Sequence, residues 1–216
     1  MRSTPRSADR DGVPAPDTTT ETGTVRFERI VAWLLLIGGV AGSAAAFLLT
    51  IEKFMLEVDP LYMPSCSISP VLNCGSVMET SQASVFGFPN SLLGISGFAV
   101  VASTGAALLA GAQLARWYWL GLQAGVAAGA LFVHWLIFQS LYTIGALCPY
   151  CMVVWAVTVP IFWYTTLHNF ERFAAPKQRS IFTVITSNHA VPLTVWALVV
   201  VALIAHRFWS YWSGLL

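Results

Sequence analysis

Charge is what this sequence has least of: only 10% of its residues are Asp, Glu, Lys or Arg, against about 25% in an ordinary soluble domain. From Trp117 to Phe170 there is no charged residue at all. With 56% hydrophobic residues, a chain of this length cannot hide its apolar surface in a water-soluble core, so the bilayer must be its solvent. The net charge of +1 gives no reason to expect a general affinity for nucleic acid. The apolar runs also lack the paired charges typical of ion pathways. Cysteine is scarce, at four residues, so each one has to be accounted for.

Residues 1–28 differ in composition from the rest. Arg2, Arg6, Arg10 and Arg26 alternate with Asp9, Asp11, Asp17 and Glu21, among Pro, Ser and a Thr18–Thr19–Thr20 run. Too few large apolar residues are present to offset the entropy of ordering, so a disordered tail is expected. Five apolar spans follow within residues 29–216, at about 30–51, 92–115, 117–138, 149–167 and 190–208. The first is longer than a signal-peptide core of roughly 7–15 residues, despite the cleavage-like Ala44–Ala45–Ala46, and reads as an uncleaved anchor. A break around Gln139–Gly145 divides the long uncharged run into its two spans. The fifth contains Pro192 and closes on Phe208, Trp209, Tyr211 and Trp212, an aromatic group suited to the membrane interface. The fold class expected is therefore an all-α integral membrane protein, a four-helix transmembrane bundle plus a fifth transmembrane helix.

Basic residues set the orientation. With the N-terminus inside, the inner segments hold Arg2, Arg6, Arg10, Arg26, Arg29, Arg116, Arg172, Lys177 and Arg179, while the outer ones hold only Lys53 and Arg207. The positive-inside rule then makes the tail cytoplasmic and puts the C-terminus outside, in a multi-pass protein of the cell membrane. Two segments face outward: residues 52–89, and Gln139–Cys148. Cys66 and Cys74 fall in the first; Cys148 and Cys151 fall where the fourth span begins. A topology assigned from Arg and Lys alone thus places every thiol on the oxidising, periplasmic face.

Cys148–Pro149–Tyr150–Cys151 is a C-x-x-C at a helix start. Pro149 suits the first helical position, and the free amides and helix dipole there favour a thiolate on Cys148. Cys151 lies on the same face about one turn deeper, where it can meet a lipid-soluble oxidant. Pro64, Pro70 and Gly75 surround Cys66 and Cys74 and suggest a bent, mobile loop open to a protein partner. Two thiol pairs, one in water and one at the membrane surface, can form an exchange relay. Cys66 and Cys74 could instead form a purely structural disulfide, and four thiols could bind zinc. The loop has no His, however, and an oxidising face disfavours free thiols.

The spacing Cys66-x7-Cys74, the stretch Asn90–Ser91–Leu92–Leu93–Gly94 at the second span and Cys148–Pro–Tyr–Cys151 opening the fourth occur in one order. In that order the chain resembles the bacterial branch of the vitamin K epoxide reductase family, from roughly Ile30 to Leu167. The resemblance implies a helical bundle around a quinone, menaquinone or ubiquinone, near Cys148 and Cys151. It implies that Cys66 and Cys74 exchange with an exported thioredoxin-fold thiol oxidase, that one of them attacks Cys148, and that Cys151 passes electrons to the quinone. Such a relay would support disulfide formation in exported proteins. Asn90 falls where the family contacts the quinone carbonyl, and Phe86, Phe88 and Leu93 are candidate lining residues. Trp155 stands where animal members carry a Tyr, so that hydrogen bond does not transfer as such; Trp155 is kept as a candidate quinone contact. Many bacterial members fuse a thioredoxin-like domain after the fifth helix; this chain stops at Leu216, so a separate partner is expected.

Other readings remain open. A vitamin K or quinone epoxide reductase would run the same cysteines in the reducing direction. A non-enzymatic membrane protein would use them as structural disulfides. His134, towards the outer end of the third span, is a candidate quinone or proton residue, since ionisable groups inside membranes are functional by default. His168, His189 and His206 read as surface residues near helix ends. Gly121, Gly125 and Gly129 recur every four positions and read as helix packing. Glu52, Glu57, Asp59 and Glu79 read as a solvated acidic loop, or one that steers a basic partner.

Overall fold

The computed structural model describes residues 18–59, 61–173, 188 and 190–214. Its long elements are α1 (Thr18–Val58), α3 (Asn90–Leu109), α4 (Arg116–Phe138), α5 (Pro149–Phe173) and α6 (Ala190–Arg207), with short helices α2 (Cys74–Met78) and α7 (Trp209–Ser213). Five of the helices are long and apolar enough to cross a membrane, so the chain is an all-helical, multi-pass membrane protein.

Helix α1 begins at Thr18, inside the stretch expected to be disordered; residues 1–17 lie outside the described residues. Once the apolar run has nucleated a helix, each further turn carries only the small propagation term, so the helix extends into polar sequence. At its other end α1 runs on to Val58, which moves Glu52 from loop to helix. The second span is shorter than expected. It closes at Leu109, where Ala112 N–H bonds to Ala107 C=O and Gly111 N–H to Leu108 C=O, with Gly111 at φ +86°. That is a glycine-terminated Schellman closure, and the apolar residues up to Ala115 form a link. Helix α5, by contrast, extends beyond Leu167 to Phe173.

Small residues bring α1 and α3 together. A Cβ placed on Gly39 would stand 2.5 Å from Ala102 N, and one on Gly105 would stand 2.4 Å from Leu36 N. Without a hydrophobic driving force between helices in lipid, such close backbone approach supplies the contact. Helix α1 also packs on α5, and α5 on α4, whereas α3 and α4 scarcely meet. The bundle is therefore open between α3 and α4. Its core is Val31, Leu35, Phe98, Val101, Trp119, Leu122, Val126, Ile161 and Tyr164. His168, expected at the surface, is buried, with its ring 4.0 Å from that of Trp119. Extending α5 by more than a turn past Leu167 keeps this residue inside the bundle.

The break after α4 is a π-helical stretch, Gln139–Ile144, ended by Gly145 at φ +71°, a left-handed position suited to glycine. The chain then runs extended into the C-x-x-C. Here it pairs with the redox loop: Leu147 N–H bonds to Val71 C=O at 2.8 Å and Asn73 N–H to Leu147 C=O at 2.9 Å, a parallel bridge between Leu72 and Leu147. The loop is thus anchored rather than freely bent.

Candidate active site

The bridge decides where the sulfurs lie. Immediately after it, Asn73 caps α2 by accepting from Ser76 N–H, which fixes Cys74 as the first residue of that helix. One residue past Leu147, Cys148 precedes Pro149 at the start of α5. The two cysteines consequently face each other across the bridge, with their sulfurs 3.1 Å apart. Cys66 and Cys74 are joined in a disulfide, and Cys148 and Cys151 are free thiols. The sulfurs of Cys66, Cys74 and Cys148 all lie within 4.8 Å of one another. Two of the three are already bonded together, so the trio is a thiol facing a disulfide.

Cys66, Cys74 and Cys148 are buried beneath Leu49 and Leu56 of α1, Val77 and Tyr150. This corrects the expectation of an exposed loop pair: Cys66 is only 4% exposed. The hydrogen bond from the Cys151 thiol holds the Cys148 thiol below its ordinary range, and the backbone amides of Cys151 and Tyr150 at the helix start act in the same direction. Burial and the Glu52 carboxylate oppose them. The net direction matches a nucleophile or leaving group primed first by its C-x-x-C partner Cys151 and second by the amides of a helix start.

On its other side the C-x-x-C meets a cavity of about 620 Å³ bounded by α1, α3, α4 and α5, within the range of small-molecule sites. Among the cysteines only Cys151 lines it. Its wall runs from Ser140 and Ile144 of the π-helical stretch to Trp117 and Tyr118 at the opposite end of α4. Gly97 of α3 and Gly121, Gly125 and Gly129 of α4 form part of that wall. A Cβ on Gly97, Gly121 or Gly125 would meet nothing within 4 Å. The glycine repeat is therefore a cavity face, not a packing seam, because α3 does not close on it.

The candidate quinone contacts divide. Trp155 lines the cavity, is 3% exposed, and has an indole N–H with no acceptor among the described residues. Asn90 also lines it, but its amide ties the redox segment down, donating to Gln82 C=O at 2.7 Å and accepting from Val85 N–H at 3.1 Å. One hydrogen of its amide group remains uncommitted by these bonds. Leu93 lines the wall, while Phe88 does not; Phe88 lies against Phe86, which touches the lining residue Phe132.

His134 is turned away. Its Nδ1–H donates to Ala130 C=O at 2.7 Å, and its Nε2 accepts from the Trp196 indole of α6 at 2.9 Å. It lines a small separate pocket with Pro192, Leu193 and Trp196. Helix α4 is apolar all round, so sequence alone could not fix which face His134 occupies. Replacing His134 with Gln is expected to leave thiol-to-quinone turnover within about twofold of wild type at every pH. A tenfold loss in steady-state assays would return His134 to the reaction.

A buried disulfide with a free C-x-x-C thiol 3.1 Å from it, at the end of a bundle of apolar helices, is an arrangement suited to thiol–disulfide redox chemistry. The chain belongs to the vitamin K epoxide reductase family, whose model matches residues 33–166. No curated protein matches the sequence.

Proposed function

We propose that the protein oxidises an exported thioredoxin-fold dithiol protein and delivers the electrons to a membrane quinone, on the outer face of the cell membrane. The observation that carries this reading is the position of the C-x-x-C between two features. Cys148 touches the loop disulfide at 3.1 Å, and Cys151 alone of the cysteines reaches the cavity.

A partner thiolate attacks Cys66 Sγ, the Cys66–Cys74 bond breaks, and Cys74 leaves as the thiolate. The partner's second thiol then releases Cys66, completing a disulfide in the partner. When the C-x-x-C is oxidised, the Cys74 thiolate attacks Cys148 across the existing contact, and Cys151 is expelled as a thiol. Cys66 then resolves the Cys74–Cys148 bond, which restores the loop disulfide and leaves the C-x-x-C reduced.

The residues present fit a quinone. The cavity is largely apolar, Trp155 supplies a buried donor lacking an acceptor, and Asn90 has an amide hydrogen to spare. A bound quinone would accept two electrons and two protons, which the Cys148 and Cys151 thiols supply. The basic residues Arg26, Arg29, Arg116 and Arg172 cluster at the bundle end opposite the cysteines, which supports an outward-facing thiol site by the positive-inside rule.

Purified protein in detergent, given a reduced thioredoxin-fold protein and a quinone, is expected to oxidise the thiols with stoichiometric loss of quinone absorbance. A folded protein that keeps its loop disulfide but reduces no quinone would establish the structural-disulfide reading instead.

A further inference from the structure

Glu52 has the environment of a working residue rather than of a solvated acid. It sits on the last turns of α1, on the helical face shared with Leu49 and Leu56, both of which pack on the cysteine cluster. It is only 7% exposed. Its carboxylate reaches into the redox loop, accepting from the Tyr62 hydroxyl at 2.9 Å, from Ser65 N–H at 3.3 Å and from the Ser65 hydroxyl. Ser65 is the neighbour of Cys66 in the chain. A buried carboxylate is retained only where donors satisfy it, and among the described residues its donors, Tyr62 and Ser65, come from the one stretch of loop before the disulfide.

That stretch presents a steric problem for the reaction. Cys66 is the sulfur left for an incoming thiolate, since Cys74 is turned onto Cys148, yet Cys66 is buried. A nucleophile must approach it in line with the Cys66–Cys74 bond, so Cys66 must come out from under Leu49, Leu56, Val77 and Tyr150, and its chain neighbour Ser65 is held in place by Glu52. We infer that Glu52 is a positioning residue that latches the loop through Tyr62 and Ser65, and that its release admits the dithiol partner to Cys66.

The inference rests on the proposed thiol-oxidase function and assigns the access step of the same site. The step it gates is balanced within the protein and its substrate. A dithiol gives up two electrons and two protons, the Cys66–Cys74 bond breaks, and two cysteine thiols form. The latch keeps stray thiols from discharging the disulfide, while the Cys74–Cys148 contact needs no loop movement. The hydrogen bond to Glu52 also holds the Tyr62 hydroxyl above its ordinary range, as expected of a phenol that donates to a carboxylate.

The test uses the full chain in detergent with dithiothreitol as the probe, and follows loss of the Cys66–Cys74 disulfide by alkylation and mass spectrometry. Neither quinone nor partner is present, so the result is independent of whether those belong to the cycle. Glu52→Gln is expected to speed reduction at least about tenfold and Tyr62→Phe about threefold, because each removes a charge-assisted bond that holds the loop closed. Labelling of Cys151 by N-ethylmaleimide in the same samples reports general loosening and is expected to stay within about twofold. Tyr62→Phe keeps the carboxylate and its Ser65 bonds, so it decides the matter if Glu52→Gln fails to fold. Reduction rates within twofold of wild type would overturn the latch. So would a parallel rise in Cys151 labelling, which would mean the whole site had loosened.

Discussion

Replacing Cys151 with Ala is expected to bring quinone-linked turnover to background, a fall of at least about a thousandfold, while leaving exchange with the loop intact. The reason is the division of labour between two thiols one helical turn apart. Cys151 is the cysteine that reaches the cavity, and Cys148 is the one in contact with the loop disulfide. In the variant the Cys148 thiol can still attack Cys74, forming a Cys74–Cys148 bond and freeing Cys66. This is an isomerisation, so it needs no oxidant. With no Cys151 to resolve it, the new disulfide reverts only by attack of Cys66. Alkylation should therefore trap a species with Cys66 modified and Cys74 bound to Cys148, identifiable by peptide mass. Loss of the Cys151 hydrogen bond weakens the force that holds Cys148 below its ordinary range, so trapping should be slower at neutral pH than at pH 9. If Cys148 were instead recovered joined to Cys66, the 3.1 Å contact would not be the exchange route. Persistent quinone reduction without Cys151 would place the electron exit elsewhere.

How much of this was legible in the sequence depends on which kind of signal was involved. The spans could be read because bilayer burial excludes charge, and the cysteine pairs because thiols are few. The break at Gln139–Gly145 was visible for the same reason, although only the backbone reveals its π-helical form and the left-handed Gly145. What could not be read was rotation. In a helix apolar on every side, no periodic polar face says which residues look inward, so the sequence does not tell that His134 faces Pro192, Leu193 and Trp196 rather than the cavity beside Cys151. The glycines of α4 look identical in sequence whether a neighbouring helix presses on them or a cavity opens there. Only the separation of α3 from α4 distinguishes the two. Glu52 reads as a loop residue because it follows the uncharged run, whereas α1 continues to Val58. That continuation puts Leu49, Glu52 and Leu56 on one face, with the carboxylate on Tyr62 and Ser65 of the redox loop. The burial of Cys66 had no sequence signal, since the bridge between Leu72 and Leu147 pairs residues far apart in the chain.

The glycine face gives the second large expected effect. Substituting Phe for Gly125 is expected to lower kcat/KM for a long-chain quinone about a hundredfold and to leave the thiol chemistry untouched. A Cβ at Gly125 meets nothing within 4 Å, so the new side chain has room to enter the cavity without moving the backbone. At about 0.8 kcal/mol per buried CH₂, excluding one isoprene unit from the groove costs roughly 3 kcal/mol, which is about two orders of magnitude in affinity. A quinone lacking the isoprenoid tail should lose less than about tenfold, because the Trp155 end of the cavity remains open to it. The formation of the Cys66–Cys74 disulfide and the alkylation of Cys148 serve as internal controls, as none of these three cysteines lines the cavity. Gly125→Ala should behave as wild type, since a methyl group fits the same free space. Gly105→Ala makes the contrast, because its Cβ would collide with the α1 backbone at Leu36 N and should impair folding rather than substrate choice. Equal losses with long and short quinones in Gly125→Phe would mean that the ring blocks the headgroup itself. No loss with either would mean that the groove between α3 and α4 is filled by lipid and takes no part in the reaction.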